Sequence, residues 1–161
     1  MRRIILSVLL FVILGSSLSA QINKMIYMTG IGVNLGNPIG VNYKYFFTEE
    51  DGVEVLLATS WKGYSLTGLY ERHFHFPPFK YRNTHWYLGA GAHIGYWNNL
   101  APFYDGQGYR IITGIDGVAG IESTFGQFPF TFGFNWIPSV NLTGQIGLNL
   151  FQVGITGRYI F

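Results

Sequence analysis

Residues 151–161 read Phe-Gln-Val-Gly-Ile-Thr-Gly-Arg-Tyr-Ile-Phe, and their alternation decides the fold. Phe151, Val153, Ile155, Tyr159 and Phe161 fall on one side of an extended chain; Gln152, Thr156 and Arg158 fall on the other. Successive strand side chains point to opposite faces, so a period of two marks a strand with one apolar and one polar face.

The same pattern recurs upstream. In 130–136, Phe130, Phe132, Phe134 and Trp136 oppose Thr131, Gly133 and Asn135. In 111–125, Ile111, Ile115, Ala119 and Ile121 oppose Asp116, Gly120, Glu122 and Thr124. In 86–96, Trp86, Leu88, Ile94 and Tyr96 oppose Gly89, Gly91, His93 and Gly95. In 39–47, Val41, Tyr43, Tyr45 and Phe47 oppose Gly40, Asn42 and Lys44. Three further runs, 30–35, 53–61 and 64–74, follow the rule, with Leu56 and Leu69 standing on the polar side. Turn residues separate the runs and helical periodicity is absent. The total is eight strands, an even number, as single-chain bacterial membrane barrels have.

Composition narrows the class. Aromatic residues make up 18% of the chain and charged residues only 11%, against about 25% charged in an ordinary soluble domain. After residue 20, every apolar stretch is interrupted by Gly, Asn, Pro or a charge, so no spanning helix is expected. Lipid tolerates only helices and closed barrels, because backbone polar groups must be satisfied internally. The expectation is an all-β fold, an eight-stranded antiparallel up-and-down transmembrane barrel over residues 21–161.

Residues 1–20 read as a cleaved signal peptide. Arg2 and Arg3 precede the uncharged apolar run from Ile4 to Gly15, and small residues through Ala20 supply a cleavage site. Removing the two arginines leaves eight basic against eight acidic residues, so the formal charge of +2 is no sign of nucleic-acid binding. The chain has no Cys, which excludes disulfides and a lipid anchor through cysteine.

The apolar faces carry too many large aromatics to fit inside eight strands, whose interior only just accommodates side chains. They are therefore read as outward, with the Gly-, Ser-, Thr- and Asn-rich faces lining the lumen. With both barrel ends of the chain on one rim, aromatics gather at that inner rim (Tyr45, Phe74, Trp86, Phe130, Tyr159 and Phe161 among them). At the outer rim they include Tyr64, Tyr96, Trp97, Trp136 and Phe151. Two such girdles are characteristic of barrels in lipid. The segments 48–52, 76–85 and 126–129 are read as inner turns; 37–38, 62–63, 98–108 and 139–149 as outer loops.

With Gly157-Arg158-Tyr159-Ile160-Phe161 and the Tyr70-Glu71-Arg72-His73 run, this pattern resembles small outer-membrane barrels of the OmpX and OmpA transmembrane-domain kind, and barrels common in Bacteroidetes. The resemblance implies an outer-membrane location in a Gram-negative bacterium. It further implies that Tyr159 and Phe161 resemble the signal read by the barrel-assembly machinery, although Thr156 stands where that signal usually has Gly.

Parity sends Lys44, Glu54, Glu71, His73, His93, Asp116, Glu122 and Arg158 into the lumen, where buried charges are expected to pair. Arg158 is expected to meet Glu122 across the lumen, and His73 or His93 to pair with a carboxylate. Arg72 alone among strand charges points outward, near a rim. Asp116 and Glu122 lie six residues apart on one strand, about 20 Å, too far for a catalytic dyad. His73 and His75 lack a third ligand from the sequence, and Gly30-x-Gly32 and Gly89-x-Gly91 open no helix, so no metal, cofactor or nucleotide site is expected. Trp97, Phe103, Tyr104, Asp105 and Tyr109 offer an extracellular contact surface for an unspecified partner. A monomeric, non-enzymatic structural or interaction role follows, against a lipid-modifying enzyme or a very narrow channel as alternatives.

Overall fold

A computed structural model describes residues 27–60, 63–75, 84–97, 110–124, 128–144 and 146–161. Residues 1–20, and with them the signal-peptide reading, lie outside the described residues, as do Phe103, Tyr104, Asp105 and Tyr109.

Among the described residues there are ten strands: β1 (Thr29–Asn37), β2 (Ile39–Phe46), β3 (Asp51–Ser60), β4 (Gly63–His75), β5 (Thr84–Trp97), β6 (Arg110–Thr124), β7 (Phe130–Trp136), β8 (Ser139–Asn141), β9 (Gly147–Asn149) and β10 (Val153–Ile160). Every pairing is antiparallel. β1 to β7 pair in sequence, β7 pairs with β10, and β10 returns to β1, so eight strands close a ring. Closure gives each of these eight strands a partner on both sides.

The register fixes the geometry of the ring. A line of partners runs from Gly30 through Lys44, Glu54, Leu69, Gly91 and Asp116 to Ser139. Carried on across β10 to β1, it arrives about ten residues above Gly30, a stagger that tilts the strands by about 40°. The end holding Tyr27, Phe161 and the β2–β3 turn is the inner end; the opposite one is the outer end.

Segment 139–149 is not a plain loop. β8 continues the register of β7 and pairs with Gly114–Asp116 of β6, while β9 folds back on β8. Gly117 N donates to Pro138 O at 2.8 Å and Ile137 N to Gln152 O at 2.8 Å, which carries the ladder past Pro138 and past the irregular stretch at 150–152. Trp136, read as an outer-rim residue, therefore stands partway up a wall that continues to Asn141. Its indole N–H donates to Leu150 O at 2.7 Å, so the polar edge of the ring is satisfied on an apolar surface. Trp97 also departs from expectation: its ring lies beside the inward face of Gly95, so it belongs to the lumen mouth and not to the outward girdle.

The side chains divide by parity. Ile31, Val33, Val41, Val55, Leu57, Ile115, Phe132, Phe134 and Ile155 are exposed on the outer surface, while Asn34, Asn42, Lys44, Glu54, Glu71, Glu122, Thr131, Thr156 and Arg158 are buried inside. Leu56 and Leu69, out of place on a polar face, join Ala58, Tyr87, Val118 and Ile137 in an apolar cluster within the lumen. The interior is thus layered, with dry apolar packing beside the charged groups. On the outer surface near the inner end, cross-strand rings pack together: Phe74 stacks on Trp86 at 4.5 Å, and Phe130 meets Tyr159 edge-on at 5.6 Å.

Candidate functional site

The inner half of the lumen holds a charged cluster assembled from five strands. Lys44 on β2 is its hub. The ammonium lies 2.6 Å from Glu71 Oε2 on β4, 3.3 Å from Glu54 Oε2 on β3 and 3.2 Å from Glu122 Oε2 on β6. Arg158 on β10 spans the opposite side: Nη2 donates to Glu54 Oε2 at 2.6 Å and Nη1 to Glu122 Oε2 at 2.9 Å. Lys44 is 0% exposed and Arg158 1%, so neither has water as an alternative partner. Breaking such a buried arrangement from one side strands a charge in a low-dielectric interior, which costs several kcal/mol.

Neutral groups complete it. Asn42 Nδ2 donates to Glu54 Oε1 at 2.8 Å. Tyr27, just before β1, donates its hydroxyl to Glu122 Oε1. Tyr27 packs edge-on against Phe46, and the two are buried with Ile160 in a small apolar cluster. Above the plane of the Tyr87 ring, the Lys44 ammonium stands 4.3 Å from the centroid, a cation–π contact in a dry site. His73 stacks on that ring at 4.7 Å and holds Glu71 Oε2 through Nε2 at 3.3 Å.

Two glycines make room. A Cβ on Gly32 would stand 2.7 Å from Arg158 Cγ and 2.2 Å from Gly157 O, so Arg158 crosses β1 only because Gly32 has no side chain. A Cβ on Gly120 would meet the Tyr87 hydroxyl at 2.5 Å.

Two residues with inward parity do not join the cluster. Asp116 lies nearer the outer end, where both carboxylate oxygens face His93 Nδ1, at 2.9 and 3.0 Å. His93 Nε2 lies 3.1 Å from Asn141 Oδ1 on β8, so the pair ties the outer hairpin to β5 and β6. Arg72 is exposed on the outer surface and bonds Glu50 Oε2 of the β2–β3 turn at 2.9 Å.

Sequence reading reached Lys44, Glu54, Glu71, His73, Glu122 and Arg158 but not Asn42, Phe46, Tyr87 or Tyr27 as members of one site. Parity carried through every residue of 39–47 and 86–96 places Asn42, Phe46 and Tyr87 inward. Tyr27 precedes the first alternating run, and no signal in the sequence marks it. Among the described residues no group of three or more His, Asp or Glu is arranged to hold a metal ion.

A closed eight-stranded ring with charge inside and apolar side chains outside has a counterpart among solved structures. The fold is that of the N-terminal β-barrel domain of OprF. The crystal structure of the N-terminal β-barrel domain of Pseudomonas aeruginosa OprF aligns with a TM-score of 0.62 at 17% identity, over 83% of this chain and 95% of that one. At that identity the likeness is one of fold. No protein-family model and no curated protein matches the sequence.

Proposed function

We propose that this protein is a monomeric, non-enzymatic barrel of the outer membrane whose lumen is closed by its own side chains, and that it serves as a structural or interaction element. One observation carries the reading: the burial pattern is inverted relative to a soluble barrel. Phe132, Phe134, Ile155 and Leu57 are half or more exposed, whereas Lys44, Glu54, Glu71, Glu122 and Arg158 are buried. Water does not favour such an exposed apolar belt, and lipid does. The fold shared with the OprF domain supports the same location.

On this reading residues 1–20 direct export, the barrel-assembly machinery engages the strand ending in Tyr159 and Phe161, and outer-membrane lipid covers the wall. The outer segment with Phe103, Tyr104, Asp105 and Tyr109 then meets an extracellular partner. The crossed ion pairs of Lys44 and Arg158 disfavour the channel reading, because a permeating ion would have to displace bonds of 2.6–3.3 Å across the lumen.

Fractionation and electrophoresis test this. The mature chain is expected in the outer-membrane fraction, to migrate as a compact band in SDS until boiled, and to give no steady conductance in planar bilayers. Recovery from the soluble periplasmic fraction would overturn the membrane reading; stable unitary currents would overturn the closed lumen alone.

A further inference from the structure

The inner cluster is one positive charge short. Glu54, Glu71 and Glu122 face Lys44 and Arg158, three carboxylates to two cations. The three carboxylates are not equivalent. Both oxygens of Glu54 are engaged, Oε1 by Asn42 and Oε2 by Lys44 and Arg158. Both oxygens of Glu122 are engaged as well, Oε1 by Tyr27 and Oε2 by Lys44 and Arg158. Glu71 uses only Oε2, for Lys44 and His73. Its Oε1 is buried with no hydrogen-bond partner, and so is His73 Nδ1 two residues along the same strand.

An uncompensated charge of this kind is costly away from water, and a carboxylate oxygen without a donor adds to that cost. We propose that the Glu71–His73 corner takes up one monovalent positive charge from solution, a proton or an alkali ion, which brings the cluster to balance. The corner suits a cation. His73 lies flat on the Tyr87 ring, and ring faces favour positive charge. Phe46 packs edge-on against His73 at 4.8 Å, and both side chains are buried. The titratable and charged groups around it are Tyr27 before β1, Lys44 on β2, Glu54 on β3, Tyr87 and His85 on β5, Glu122 on β6 and Arg158 on β10; His85 stands opposite Glu122 in register.

Reversible urea unfolding of the mature chain in phosphatidylcholine vesicles tests the proposal, once the compact SDS band shows that the barrel has inserted. Unfolding is followed over roughly pH 5 to 9, a range that brackets the ordinary histidine value. It is repeated in sodium, potassium and choline chloride at equal ionic strength. If the charge is a proton, the folded state binds one more than the unfolded state, so stability falls as pH rises, by up to about tenfold in the folding constant per pH unit. Glu71→Gln removes the surplus carboxylate and is expected to abolish that slope. If the charge is an alkali ion, sodium or potassium stabilises the wild type over choline, and Glu71→Gln removes the difference. A wild type that responds to neither variable overturns the proposal, as does a Glu71→Gln barrel with the full wild-type response. Should Glu71→Gln not fold, His73→Gln reports on the same corner, with His85→Gln as its control. A response lost in His85→Gln but kept in His73→Gln places the charge elsewhere and overturns the assignment.

Discussion

At the inner end of the lumen, β2, β3, β4, β6 and β10 each send a charged side chain to one point. At the outer end, His93 meets Asp116 through one ring nitrogen and the amide of Asn141 through the other. The inner groups are buried between the cluster of Tyr27, Phe46 and Ile160 and that of Leu56, Leu69, Tyr87 and Val118. His93 is only half-buried by comparison. The two ends differ in how charge is matched: at the inner end three carboxylates share two cations, whereas the equally buried Asp116 faces one histidine.

The largest expected effect lies at the inner end. Arg158→Ala leaves Glu54 and Glu122 sharing Lys44 alone and should destabilise the barrel by about 3–5 kcal/mol in urea unfolding. Adding Glu122→Gln should restore part of the loss. Strict additivity of the two changes would show that the residues are uncoupled and that the end is not a cooperative network.

A second substitution sharpens the contrast between wall and lumen. Ile155 is 60% exposed and pairs with Leu35 and Phe134, well inside the apolar belt. Ile155→Arg should cost about 2–4 kcal/mol, as arginine does near the middle of a bilayer. Gln152→Arg, on the inward side near the outer end and bonded to Ser139, should cost clearly less. Equal costs would mean that the two faces are wrongly assigned.

The outer pair should matter least within the lumen. His93→Ala removes the bonds to Asp116 and Asn141 and, because His93 is half-buried, admits water to Asp116, so the expected cost is about 1–2 kcal/mol. Hydrogen exchange should quicken in β8 and β9, which His93 ties down, and remain slow in β2 and β3. A loss as large as that of Arg158→Ala would erase the distinction between the two ends. Arg72→Ala, an exposed pair on the outer surface, serves as the reference and should leave the unfolding curve where it was.

The alternation of side chains was enough to determine the eight strands of the ring and which residues of each point inward. Period two is local: once Lys44 is inward, Asn42 and Phe46 must be as well, and Tyr43 and Tyr45 must be outward. Tertiary structure alone decided which inward residues share a level. Glu122 and Asp116 lie on the same face of β6, yet one joins Lys44 and the other His93, because the stagger of about ten residues around the ring sets the height of each strand. That stagger resides in the pairing of distant strands, such as Gly32 with Arg158, and no single segment encodes it. The hairpin of β8 and β9 was hidden for a related reason. Pro138 and the break at 150–152 interrupt the alternation, and only the pairing of Ser139–Asn141 with Gly114–Asp116 makes that segment part of the sheet. Tyr27 reaches Glu122 across 95 positions of sequence, a contact that exists only because the ring closes.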